Sequence, residues 1–110
     1  MEKDEFIQIV TTTDSQQNAD ELSQIILHAR LAACVQIEGP VVSRYHWKGK
    51  IEEAQEWRCA IKTRRRLFDK VAAVIRENHP YDVPEIIAFH ISDSGTSYRQ
   101  WLDEEIRHDI

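Results

Sequence analysis

Two long runs of alternating residues face each other across one glycine, and they constrain the fold more than anything else in the chain. Val41 to Trp47 alternates before Lys48-Gly49-Lys50, and about Ile51 to Thr63 alternates after it. A Gly-centred turn between two β-rich runs is a hairpin signal. Side chains alternate along a strand, so the cleanest part of the return limb sets Trp57, Cys59, Ile61 and Thr63 on one face. Glu56, Arg58, Ala60 and Lys62 take the other. The hairpin is longer than the strand patterns on either side, and Tyr45, Trp47 and Trp57 stand among charges near its tip. A lone chain would leave those edges and rings uncovered, a liability that proteins usually manage. Self-association is the economical reading; a twisted hairpin that folds its aromatics onto its own sheet is the alternative.

The flanking patterns supply the remaining elements. Phe6 to Thr12 alternates as a first strand. Asp14 followed by Gln17 resembles a capping box, and Leu22, Ile25, Ile26 and Ala29 then recur at helical spacing through about Leu31. Ala33 to Ile37 resumes strand character, with Gly39-Pro40 as a bulge or kink before the hairpin. Thr63 is the expected N-cap of a second helix, whose stripe is Leu67, Val71, Val74 and Ile75. His79-Pro80 ends that helix, because a residue before proline resists the α conformation. Glu85 to Ile91 reads as the last strand, Ser92 to Gly95 as a turn, and Tyr98, Trp101, Leu102 and Glu105-Ile106 as a short third helix.

The order β-α-β-β-α-β predicts an α+β, ferredoxin-like split βαβ fold with a long central hairpin and an extra C-terminal helix. At 110 residues the chain makes a single domain over 1–110. A domain of this size buries about 60–70% of its unfolded surface, enough for one core. No apolar run reaches the roughly 18 residues of a membrane span. The acidic opening Met1-Glu2-Lys3-Asp4-Glu5 is unlike a signal peptide, so a cytoplasmic location is expected. A net charge of −5 repels phosphate backbones, which disfavours nucleic acid as a partner. Cys34 and Cys59 lack redox or zinc spacing and are expected to be buried thiols.

No catalytic apparatus stands out. The five histidines form no His-x-x-x-His pair, and no nucleophile elbow or phosphate-binding glycine loop occurs. Arg64-Arg65-Arg66 places three cations at an expected helix start, against the helix dipole. Acidic neighbours or a bound anion would each account for them. The segment His79-Pro80-Tyr81-Asp82-Val83-Pro84-Glu85 carries the most chemistry, holding an imidazole, a phenol and carboxylates between two prolines. Rigid loops that present polar groups are typical of sites; a stiff connector whose Tyr81 packs on a neighbour fits the same residues.

At this segment the chain closely resembles the CutA family, the divalent cation tolerance proteins. The matching stretches are Leu31 to Val35, Tyr45 to Lys50, Glu56 to Thr63, His79 to Glu85 and Tyr98 to Leu102, in the family's order and spacing. The resemblance implies a ferredoxin-like homotrimer in which long hairpins cover neighbouring edges, similar in architecture to the PII signalling proteins. It also implies a part in divalent metal ion tolerance, with copper the ion in question. The family's bacterial metal site combines a cysteine on the first strand with two adjacent histidines before Pro-Tyr. Here those positions read Val10, Asn78 and His79. One ligand of three remains and the soft thiolate that selects copper is missing, which leaves His79, with a carboxylate such as Glu85, as the metal candidate.

The preferred expectation is a trimeric binding or sensing protein whose inter-subunit clefts hold a small ligand or metal ion. His79, Tyr81, Glu85, Lys62, Glu56 and Trp47 are expected around that cleft, and no residue is assigned a catalytic role. A structural or signalling scaffold that binds a protein partner is the alternative. A small enzyme with a site shared between subunits ranks third, resting on Tyr81, Glu85 and Lys62 as its acid–base group.

Overall fold

The structure, a computed structural model, describes residues 5–109. Its elements are β1 (Phe6–Thr13), α1 (Gln16–His28), β2 (Cys34–Trp47), β3 (Lys50–Arg64), a 3₁₀ turn (Arg65–Leu67), α2 (Phe68–Asn78), β4 (Ile87–His90) and α3 (Thr96–Glu105). The strands form one sheet in the order β2-β3-β1-β4, and every adjacent pair is antiparallel. That is the predicted split βαβ arrangement, with α3 added.

Alternation decides which face the helices cover. Ile7 and Ile9 of β1 and Cys59 and Ile61 of β3 join Ala19 and Ile26 of α1, Val71 and Ile75 of α2 and Leu102 of α3 in one core. Each of these Ile, Val and Leu side chains contributes about 1.5–3 kcal/mol over leaving it in water. The opposite face, which carries Gln8, Val10, Gln36, Ala60, Ile87 and Phe89, has no helix over it. Ile87 and Phe89 remain 44% and 51% exposed there.

The hairpin forms as expected. Lys48 and Gly49 both adopt positive φ, 51° and 81°, as a two-residue loop between right-twisted strands requires. Gly39-Pro40, a cis peptide, shifts the register between Glu38 and Val41 without ending β2, which runs unbroken for 14 residues. Gly39 has to be glycine: a Cβ there would lie 2.6 Å from Trp57 Cδ1 and 3.0 Å from the Glu56 carbonyl.

Five expectations are corrected. Ser15, not Asp14, caps α1: its backbone is extended and its hydroxyl accepts the Asn18 amide proton, while Gln17 reaches Glu21 instead of closing a box. The helix stops at His28, because Arg30 turns left-handed and sends Leu31 into the core. Thr63 is no helix cap: it is a buried residue of β3 that donates to the Leu31 carbonyl at 2.6 Å, and the 3₁₀ turn intervenes before α2. The last strand covers only Ile87–His90, since the Pro84 turn keeps Glu85 and Ile86 off the sheet. Cys59 is buried, which together with Asp20 pushes its thiol up to about 11; Cys34 is only half-buried, and both are free.

Arg64 and Arg66 dock the C-terminal segment. Arg64 binds Asp103 through Nη2 at 2.6 Å and Nε at 3.0 Å while its guanidinium lies over Phe6, and Arg66 donates to the Arg107 carbonyl. The three arginines thus do not start α2 as expected: Arg64 ends β3, Arg65 and Arg66 lie in the 3₁₀ turn, and an acidic neighbour meets the charge of Arg64.

Candidate functional cleft

The upper hairpin and the Pro80–Glu85 turn approach each other over the open side of the sheet and enclose a cleft of about 540 Å³. Ser43, Arg44, Tyr45 and Trp47 of β2 form one wall, Tyr81, Asp82, Val83 and Glu85 the other, and Thr12 and Glu56 complete the lining. Pro80 and Pro84 stiffen the second wall, and His79 takes the extended conformation that a following proline demands.

His79 fastens this turn to the sheet. Its Nδ1 accepts the Tyr81 amide proton at 3.1 Å, so its proton sits on Nε2, which donates to the Thr12 carbonyl at 2.6 Å. The ring also packs against Tyr81, 4.8 Å between centroids. From that position Tyr81 donates its phenolic proton to Glu56 Oε2 at 2.9 Å. Burial raises the Tyr81 pKa, and the hydrogen bond and charge of Glu56, with Asp14 and Tyr45, raise it further. Tyr81 is therefore a fixed donor that stays protonated through the neutral range. Glu56 is only 6% exposed, and its second oxygen takes no hydrogen bond among the described residues.

Of the six residues expected at the cleft, Trp47, Glu56, Tyr81 and Glu85 line it, and His79 braces it from behind. Lys62 does not join them within the chain. It lies on the same face as Glu56 but roughly 20 Å further along the strand, where its Nζ meets the Tyr98 hydroxyl at 3.3 Å. Thr12, Ser43, Arg44, Asp82 and Val83 complete the lining. Asp82 lies inside the segment the sequence flags, whereas Ser43 and Arg44 depend on the register beyond the Gly39-Pro40 shift.

The three positions of the family metal site do not fit a copper centre. Val10 is apolar and buried between Ala60 and Ile87, the Asn78 amide donates to the Val74 carbonyl, and the His79 lone pair is taken by Tyr81. Among the described residues no group of three His, Cys, Asp or Glu is arranged to hold a metal ion. No helix there is long and apolar enough to cross a membrane.

Comparison with known proteins agrees with the architecture. The pattern of the CutA1 divalent ion tolerance proteins matches residues 7–105. The "Divalent-cation tolerance protein CutA" of Pyrococcus horikoshii is 37% identical over 93% of this chain and 99% of its own length. The "Protein CutA homolog" of Danio rerio is 36% identical, and this chain spans 65% of it; for "Protein CutA, chloroplastic" of Arabidopsis thaliana the share is 56%. The crystal structure of CutA1 from Oryza sativa superposes with a TM-score of 0.93 at 34% identity, over 97% of this chain and 98% of that one. The Thermus thermophilus protein superposes at 0.90 with 33% identity, over 93% and 99%. On that sequence pattern and that fold, the chain belongs to the CutA1 divalent ion tolerance family.

Proposed function

We propose that this protein is a cytoplasmic homotrimer that binds and senses a small ligand in the hairpin–turn cleft as its part in divalent cation tolerance. Glu56 carries this reading. A carboxylate sequestered from water is costly unless fully partnered, and this one keeps an oxygen turned to a cleft whose size suits a small molecule, about 300–1,000 Å³. Subunit association is supported by the uncovered sheet face with Ile87 and Phe89 and by the exposed hairpin residues Val42 and Ile51. Neighbouring chains laid on these surfaces would close the cleft's open side. Binding is favoured over catalysis because Tyr81 is held protonated and Lys62 stands apart, so one chain assembles no acid–base pair. The divalent ion enters through the family's role in tolerance, not through His79 as a ligand.

Native mass spectrometry of the purified protein, followed by Cu²⁺ and Zn²⁺ titrations of the wild type and His79→Ala, tests this reading. Three chains per particle and superimposable isotherms are expected. A monomer, or a metal affinity that His79→Ala abolishes while the trimer persists, would overturn it.

A further inference from the structure

We propose that the ligand taken by the cleft is a small organic cation, an ammonium group on a short aliphatic chain. This deepens the reading of the cleft as a ligand site and rests on it. The charge of the lining sets the sign: Glu56, Asp82 and Glu85 face one cation, Arg44, whose Nε is already bound to Glu53 at 2.8 Å. An anion would meet carboxylates on the floor and on one wall. Glu56 sets the depth: the residue is only 6% exposed and among the described residues only its Oε2 is engaged, by Tyr81, so an ion pair to it is less screened than one at the surface. Thr12 and Ser43 place hydroxyl oxygens in the same lining, available to the remaining ammonium protons.

The aromatic wall distinguishes an organic cation from a metal ion. Tyr45 and Trp47 are 41% and 42% exposed, rings that this chain leaves uncovered by its own residues beside a carboxylate. The face of an indole attracts an ammonium, and Trp47 already has the Lys48 ammonium 5.8 Å from its ring centroid. The rings and Val83 offer apolar surface to a short alkyl chain, which a hydrated metal ion cannot use. The carboxylates are also too dispersed to converge on a metal, as no three potential ligands among the described residues cluster.

The test uses three probes of one shape and different charge: butylammonium, 1-butanol and butyrate. They are titrated into ¹⁵N-labelled protein while the Trp47 indole resonance, assigned with Trp47→Phe, is followed. Butylammonium should shift that resonance saturably, with an affinity at least ten-fold above that of butanol, and butyrate should leave it in place. Glu56→Gln keeps an acceptor for Tyr81, and should weaken butylammonium at least ten-fold while leaving butanol unchanged. Glu85→Gln, at an exposed position, should weaken it about three-fold and serves if the first variant is unstable. Butanol or butyrate binding as well as butylammonium, or equal butylammonium affinity in the wild type and variants, would overturn the choice of cation and leave the cleft as a ligand site. A Trp47 resonance unmoved by all three probes would remove both.

Discussion

Replacing Tyr81 by Phe removes one oxygen atom and leaves the ring packing on His79, so it isolates the hydrogen bond to Glu56. A hydrogen bond to a charged group contributes about 1.5–3 kcal/mol. Tyr81 is only half-buried while Glu56 is buried, which points to the lower half of that range, about 2 kcal/mol. A chain of this length melts about 4–8 °C lower per kcal/mol lost, so Tyr81→Phe should lower the midpoint by about 10 °C. The cost arises from the carboxylate left behind, which yields a sharper expectation. Adding Glu56→Leu to Tyr81→Phe removes the stranded charge and should recover more than half of the loss, because replacing both partners by apolar groups is nearly neutral. Urea unfolding followed by far-ultraviolet circular dichroism, at one protein concentration so that association is constant, measures all four members of the cycle. A single variant within 0.5 kcal/mol of wild type, or a double variant less stable than Tyr81→Phe alone, would refute the reasoning.

Two further outcomes follow from the packing and the charges. Gly39→Ala drives a methyl group into the Trp57 indole at 2.6 Å and should cost about 1–3 kcal/mol, read from the same urea curves; an unchanged midpoint would show that the strand yields freely there. The Asp103 carboxyl is held below its ordinary value, chiefly by its hydrogen bond from Arg64. A lowered folded pKa gives stability that is present above the ordinary carboxylate value, about 4, and is lost as pH falls through the folded value. Asp103→Asn should therefore flatten the acid limb of the melting temperature below about pH 4, and more so at low salt, since the Asp103 side chain is 41% exposed. Parallel acid limbs in the two proteins would count against the pair.

What was legible in the sequence was local. Gly49, the alternation on either side of it and the helical stripes are each written within a few residues of one another, and the sheet order follows from them. What was missed depends on partners far along the chain. Thr63 looks like a cap until the Leu31 carbonyl, 32 residues back, claims its hydroxyl. His79 looks like a ligand until its Nε2 is found donating to the Thr12 carbonyl, 67 residues away. Alternation correctly set Glu56 and Lys62 on one face, but a face is long, and only the turn carrying Tyr81 decides which end of it becomes a cleft. The burial of Glu56 is likewise invisible locally, since glutamate in a hairpin of mixed charge usually faces water.

The irregularity at Gly39-Pro40 inverts a phase. Between Glu38 and Val41, β2 takes three steps while β3 takes two, from Arg58 to Glu56. Before it, even-numbered residues of β2 stand opposite even-numbered residues of β3; beyond it, odd stands opposite even. The surplus residue lets Val35 and Ile37 stand with Cys59 and Ile61 on the core side while Tyr45 and Trp47, in register from the Lys48-Gly49 turn, stand on the side of Glu56. Removing it would turn either Val35 and Ile37 away from the core or Tyr45 and Trp47 away from Glu56, with every side chain still encoded. The chemistry of the site is thus held in a count of residues as much as in their identities.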